Sequence, residues 1–113
     1  MLESSRRYYL YDKPVDMRKG FWGLSKIVMG QMCHSVKNGD GYVFINRRGN
    51  LLKMLLWEGD GFSIYYKQLE RGTFEHPKDA SKGISYEQLL LILRGINSKK
   101  IEKRKRYRLG ETG

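Results

Sequence analysis

Cysteine occurs once in these 113 residues, and proline and histidine twice each. Each scarcity closes off a class of function. A lone Cys33 has no partner for an internal disulfide, which suits a reducing, cytoplasmic setting rather than a secreted scaffold. His34 and His76 form no H-x-x-x-H pair and there is no C-x-x-C, so no metal site is expected. Acids are thin as well, 12 against 22 Lys and Arg. No apolar run approaches the roughly 20 residues that span a bilayer. The longest, Leu51 to Trp57, is broken by Lys53. Met1 to Tyr8 holds no apolar h-region, so neither a signal peptide nor a membrane partner is expected. A Walker motif and a G-x-G-x-x-G are missing, so no cofactor is expected. Nor is there a nucleophile–base pair set for acyl transfer, and no catalytic residue is assigned.

What the chain does have is positive charge and aromatic rings. The net charge is +10, a size that attracts polyanions, of which nucleic acid is the commonest in a cytosol. Half of it sits at the end. From residue 98 to 113, seven cations face only Glu102 and Glu111, which leaves +5 there. Lys103, Arg104, Lys105 and Arg106 are the densest part of that run. It reads either as a solubilising, disordered tail or as an arm that tracks phosphates. Residues 1–97, with seven Tyr, four Phe and two Trp in a chain of 40% hydrophobic content, read as a single domain able to bury a core.

The pattern along that domain predicts an α+β fold, an antiparallel β-meander of four to five strands packed by two helices. Tyr8 to Asp12 suits a short strand ended by Lys13-Pro14. Asp16 reads as a helix N-cap, with Met17, Phe21, Leu24, Val28 and Met32 forming one helical face to about Val36. Asn38-Gly39-Asp40-Gly41 is a stop and turn signal. Strands follow at Tyr42–Arg47, Leu51–Trp57 and Phe62–Leu69, with an edge strand at Thr73–Glu75 stopped by Pro77. Leu51–Trp57 is apolar on both faces apart from Lys53, which makes it central. Ser85 and Gln88 have capping-box spacing, Ile84 and Leu89 that of a hydrophobic staple, before a helix over Tyr86–Ile96.

Candidate binding residues follow from this layout. Arg18 and Lys19 in the first turn of a helix oppose the macrodipole. Free N–H groups plus two cations there would make a phosphate site; the plain alternative is two side chains in water. Arg47 and Arg48 sit at a hairpin turn, where guanidinium groups can pair with phosphates. Lys53, Lys67 and Arg71 lie on or beside neighbouring strands. Trp57, Tyr65 and Tyr66 interleave with these bases, and such a sheet face can hold single strands by stacking. Since adjacent residues face opposite sides, Trp57 and one of Tyr65 or Tyr66 belong to the core. Glu58 and Asp60 read as turn formers, because a two-metal site needs more convergent carboxylates.

Two segments carry a family resemblance. The first is Pro14-Val15-Asp16-Met17-Arg18-Lys19-Gly20-Phe21 with Gly23-Leu24. The second runs from Val43 through Asn46-Arg47-Arg48, Leu52–Phe62 and Tyr65–Gly72. Together they make the chain, from about Arg7 to Asn97, resemble the TnpB (Orf-two-like) accessory proteins encoded beside the transposase in insertion sequence 66 transposons. Asp16, Met17, Arg18 and Lys19 match the family motif, whereas Trp22 stands where the family usually has a small or acidic residue. The resemblance implies a non-enzymatic role in DNA transposition, the cutting chemistry belonging to the separate transposase. Two expectations follow: DNA bound through phosphates, or a protein-interaction module that docks the transposase without touching DNA.

Overall fold

A sheet with two apolar faces needs two covers, and the chain supplies one helix to each. The computed structural model describes residues 2–95. Its elements are β1 (Tyr8–Leu10), α1 (Phe21–Gly30), β2 (Gly41–Ile45), β3 (Leu51–Trp57), β4 (Phe62–Gln68) and α2 (Tyr86–Leu93). The strands lie in the order β1-β2-β3-β4. The α+β architecture with two helices is therefore as expected. The antiparallel meander holds for β2, β3 and β4, but β1 runs parallel to β2. A parallel pair needs a crossover, and the segment carrying α1 provides it.

All five residues of β2 are buried, because both of its faces are covered. Tyr42 and Phe44 join Leu55 of β3 under Leu24 and Val28 of α1. Val43 and Ile45 join Leu52, Met54 and Leu56 under Leu89, Ile92 and Leu93 of α2. The two apolar clusters are thus separated by the sheet, and the alternation of β2 and β3 feeds both. Gly41 is required by contact: a Cβ there would stand 2.6 Å from the Tyr8 ring.

Several boundaries differ from the sequence reading; β1 ends at Leu10, not Asp12, and β2 at Ile45, not Arg47. Asp16 does not cap α1. Its carboxylate accepts from the Arg18 backbone N–H at 2.9 Å, and Lys19 N–H donates to the Asp16 carbonyl at 3.1 Å. That closes a separate turn, and the helix begins only after the extended Gly20. Downstream, α1 stops at Gly30 rather than Val36, and Cys33 takes φ of 60°. Met17, Met32 and Val36 still pack on the α1 side, so the apolar spacing continued where the helix did not. The edge strand at Thr73–Glu75 is not formed. That segment makes one bond back to the sheet end, Phe74 N–H to the Gly49 carbonyl at 2.7 Å, and sinks the Phe74 ring into the core instead of pairing. At the second helix the capping box is formed: Gln88 N–H donates to Ser85 Oγ at 3.1 Å and Ser85 N–H to Gln88 Oε1 at 2.9 Å. The helix ends at Leu93, short of the expected Ile96, because Gly95 takes a left-handed φ of 69°; the tail over 98–113 lies outside the described residues.

Candidate nucleic-acid interface

The β2–β3 hairpin loop is braced by asparagine. Asn46 Oδ1 accepts from Leu51 N–H at 3.0 Å, Asn46 Nδ2 donates to Asn50 Oδ1 at 2.9 Å, and Gly49 takes φ of 78° to close the turn. This leaves Arg47 and Arg48 at the tip, both exposed. Val15 N–H donates to the Ile45 carbonyl at 3.0 Å and so lays the Pro14–Met17 segment alongside. Asp16 and Met17 share a groove of about 410 Å³ with Arg47 and Arg48. On the other flank, Lys13, His76 and Thr73 share a second groove, about 350 Å³, with the same two arginines. Arg47 and Arg48 are a ridge between two grooves at one end of the sheet. Arg71 stands at this end too, because Leu69 N–H donates to Asn50 and Phe74 N–H to Gly49. Lys13 and His76 were not marked by any spacing, since they reach the ridge from segments far apart in the chain.

Arg18 and Lys19 occupy the turn beside this ridge rather than the first turn of α1. Arg18 is not a free cation. Its Nη2 lies 2.6 Å from Asp16 Oδ2 and its Nε bonds the same carboxylate. The guanidinium donors hold the Asp16 carboxyl at a pKa of about 2. Lys19, Arg47, Arg48 and Arg71 are exposed, and none makes an ion pair within 4.0 Å among the described residues.

Lys53 and Lys67 have a different task. Lys53 Nζ donates to the Met17 carbonyl at 2.7 Å and the Lys19 carbonyl at 2.9 Å, fastening the turn before α1 to β3. Lys67 Nζ donates to the Leu93 carbonyl at 2.6 Å, fastening the end of α2 to β4. A cation at a helix C-terminus also complements the helix dipole. The two lysines point to opposite faces of the sheet, one fastener for each helical layer. Lys103, Arg104, Lys105 and Arg106 lie outside the described residues.

The aromatic residues divide as strand alternation requires. Tyr65 packs on the α2-side cluster, whereas Tyr66 is 53% exposed on the α1 side. Trp57 is half-buried, its ring 4.7 Å from Phe62 and under the Lys37 ammonium at 5.3 Å. Glu58 lies 3.9 Å from Arg6, whose guanidinium also donates to the Gly39 and Trp57 carbonyls. That contact ties the turns before β2 and after β3 together.

Residues 6–103 match the family model described as IS66 Orf2 like protein. Two Sinorhizobium fredii proteins (strain NBRC 101917 / NGR234) are similar along most of their length. Uncharacterized protein y4jC is 30% identical over 100 residues, 87% of this chain and 86% of the relative. Uncharacterized protein y4hO is 33% identical over 93 residues, 80% of this chain and 81% of the relative. No solved structure matches the chain.

Proposed function

The chain belongs to the IS66 Orf2-like family, accessory proteins of insertion sequence 66 transposition, and from that premise we propose that it is a non-enzymatic, cytoplasmic DNA-binding factor. It holds transposon DNA through phosphates. One observation carries this reading: Arg47 and Arg48 form an exposed ridge flanked by two grooves, with Lys13, Lys19 and Arg71 on the surrounding segments. Guanidinium groups at a hairpin tip suit bidentate contact with backbone phosphates. Arg18 joins by exchanging Asp16 for a phosphate. Lys53 and Lys67 are left out of the contact set, because their ammonium groups serve backbone carbonyls. The tail cations Lys103 to Arg106 extend the same electrostatic attraction without reading sequence.

Binding to duplex carrying the transposon end tests the proposal. Affinity is expected to fall by about 0.9 log units per log unit of salt for each phosphate contact. A flat salt response, or no binding at low salt, contradicts it. In that case docking of the transposase by this chain becomes the better reading.

A further inference from the structure

We infer that the α1 side of β4 is a stacking surface for single-stranded nucleic acid, continuous with the basic ridge. Among the described residues, the four exposed large apolar side chains all lie in this one layer: Trp22 and Met29 on α1, Ile64 and Tyr66 on β4. The rings form a connected row. Trp22 stands 5.0 Å from Phe21, Phe21 4.1 Å from Phe62, and Phe62 4.7 Å from Trp57. Ile64 and Tyr66 extend the row along β4, since every second residue shares a face. The helix α1 covers β2 and β3 here but leaves these two uncovered.

Charge selects the occupant. The Lys53 ammonium lies 5.0 Å over Tyr66 at one end of the row, and the Lys37 ammonium 5.3 Å over Trp57 at the other. Lys26 is exposed on α1 between Trp22 and Met29. No acid occurs within β4; Asp60 and Glu70 stand in the turns beyond its ends. A second copy of a +10 chain would meet this cationic border with its own. A nucleic-acid strand supplies both complements, bases for the rings and phosphates for the Lys26 and Lys37 ammonium groups. The route is short: Lys53 bonds the Met17 and Lys19 carbonyls, so the turn carrying Arg18 and Lys19 abuts Tyr66. A strand leaving a duplex held at Arg47 and Arg48 reaches the row through that turn. The inference rests on the nucleic-acid reading above but uses different side chains.

The test uses the full chain and an oligodeoxythymidylate of about ten nucleotides, within the range of single-strand site sizes. Binding is expected to quench tryptophan fluorescence, and most of the quench to vanish in Trp22→Phe. Tyr66→Ala and Trp22→Ala should each weaken oligonucleotide binding by about fivefold or more. Tyr66→Phe, which keeps the ring, should bind as the parent does. Both Ala variants should hold duplex unchanged, whereas Arg47→Ala/Arg48→Ala should lose it. Equal affinity of the Ala variants and the parent for the oligonucleotide overturns the inference. So does an abasic oligonucleotide of the same length that binds as well. A concentration-dependent dimer that Tyr66→Ala dissolves, with no quench by oligonucleotide, also overturns it and assigns the face to a second copy. If the parent binds oligonucleotide through these rings yet ignores duplex, the duplex proposal fails and the stacking surface stands.

Discussion

Lys53 shows how a charged side chain can be spent on architecture. Its ammonium satisfies two carbonyls that the turn before α1 leaves without helical partners. Replacing it with Met keeps the stem and removes both bonds. Lys53→Met is expected to lower unfolding free energy by about 2 kcal/mol, the range for bonds to a charged group. Denaturant melts measure this, and the salt dependence of duplex binding should stay as in the parent. Two ionisable side chains add a pH dependence at opposite ends of the scale. Asp16 has a folded pKa of about 2 against an ordinary 3.8. Its contribution is complete above pH 4 and disappears as pH falls through about 2. Asp16→Asn should abolish that acid-side dependence in a stability-versus-pH series. Tyr42 moves the other way: burial pushes its phenol up to about 12 from 10.0. Because the folded pKa is raised, the contribution is complete below pH 10 and is lost as pH rises through about 12. Burial raises Tyr8 as well. The share of phenolate absorbance that belongs to Tyr8 and Tyr42 should therefore appear late in an alkaline titration and together with unfolding, and Tyr42→Phe should reduce it.

At the scale of elements, the second helix depends on its start. The helix of Tyr86–Leu93 is short, and its reciprocal cap satisfies two end groups. Ser85→Ala should cost about 1 kcal/mol in thermal or denaturant unfolding. Gly41→Ala should cost more, about 1–3 kcal/mol, because the new methyl meets both Tyr8 and Leu56. These elements also show what sequence reasoning could see. The strand Leu51–Trp57 was legible to the residue, since its apolar run has a turn at each end. The capping box was legible because its chemistry is local. Asp16 misled because a carboxylate that bonds the N–H two residues on serves a turn as readily as a helix. The parallel entry of β1 and the irregular Thr73–Glu75 segment were not legible, as both depend on where a distant strand lies. For the site, the exposed tip of Arg47 and Arg48 could be read from hairpin chemistry. The different task of Lys53 and Lys67 could not, because their acceptors are 34 or more and 26 residues away.

Over the whole molecule, exposed cations stand on several segments, Arg7, Lys26, Lys37, Lys78 and Arg94 among them, and one group of five shares a place. Arg47, Arg48, Arg71, Lys13 and Lys19 gather at the end of the sheet that carries the β2–β3 turn, while the exposed rings line the adjacent α1 face. Family membership supplies the process, transposition, and this arrangement supplies a physical way to take part in it. The most direct measurement compares the salt dependence of duplex binding in the parent and in Arg47→Ala/Arg48→Ala. Loss of two phosphate contacts should make the log–log slope shallower by about 1.8, twice the value of 0.9 per contact. An unchanged slope in a folded double variant would contradict the assignment of the ridge to DNA.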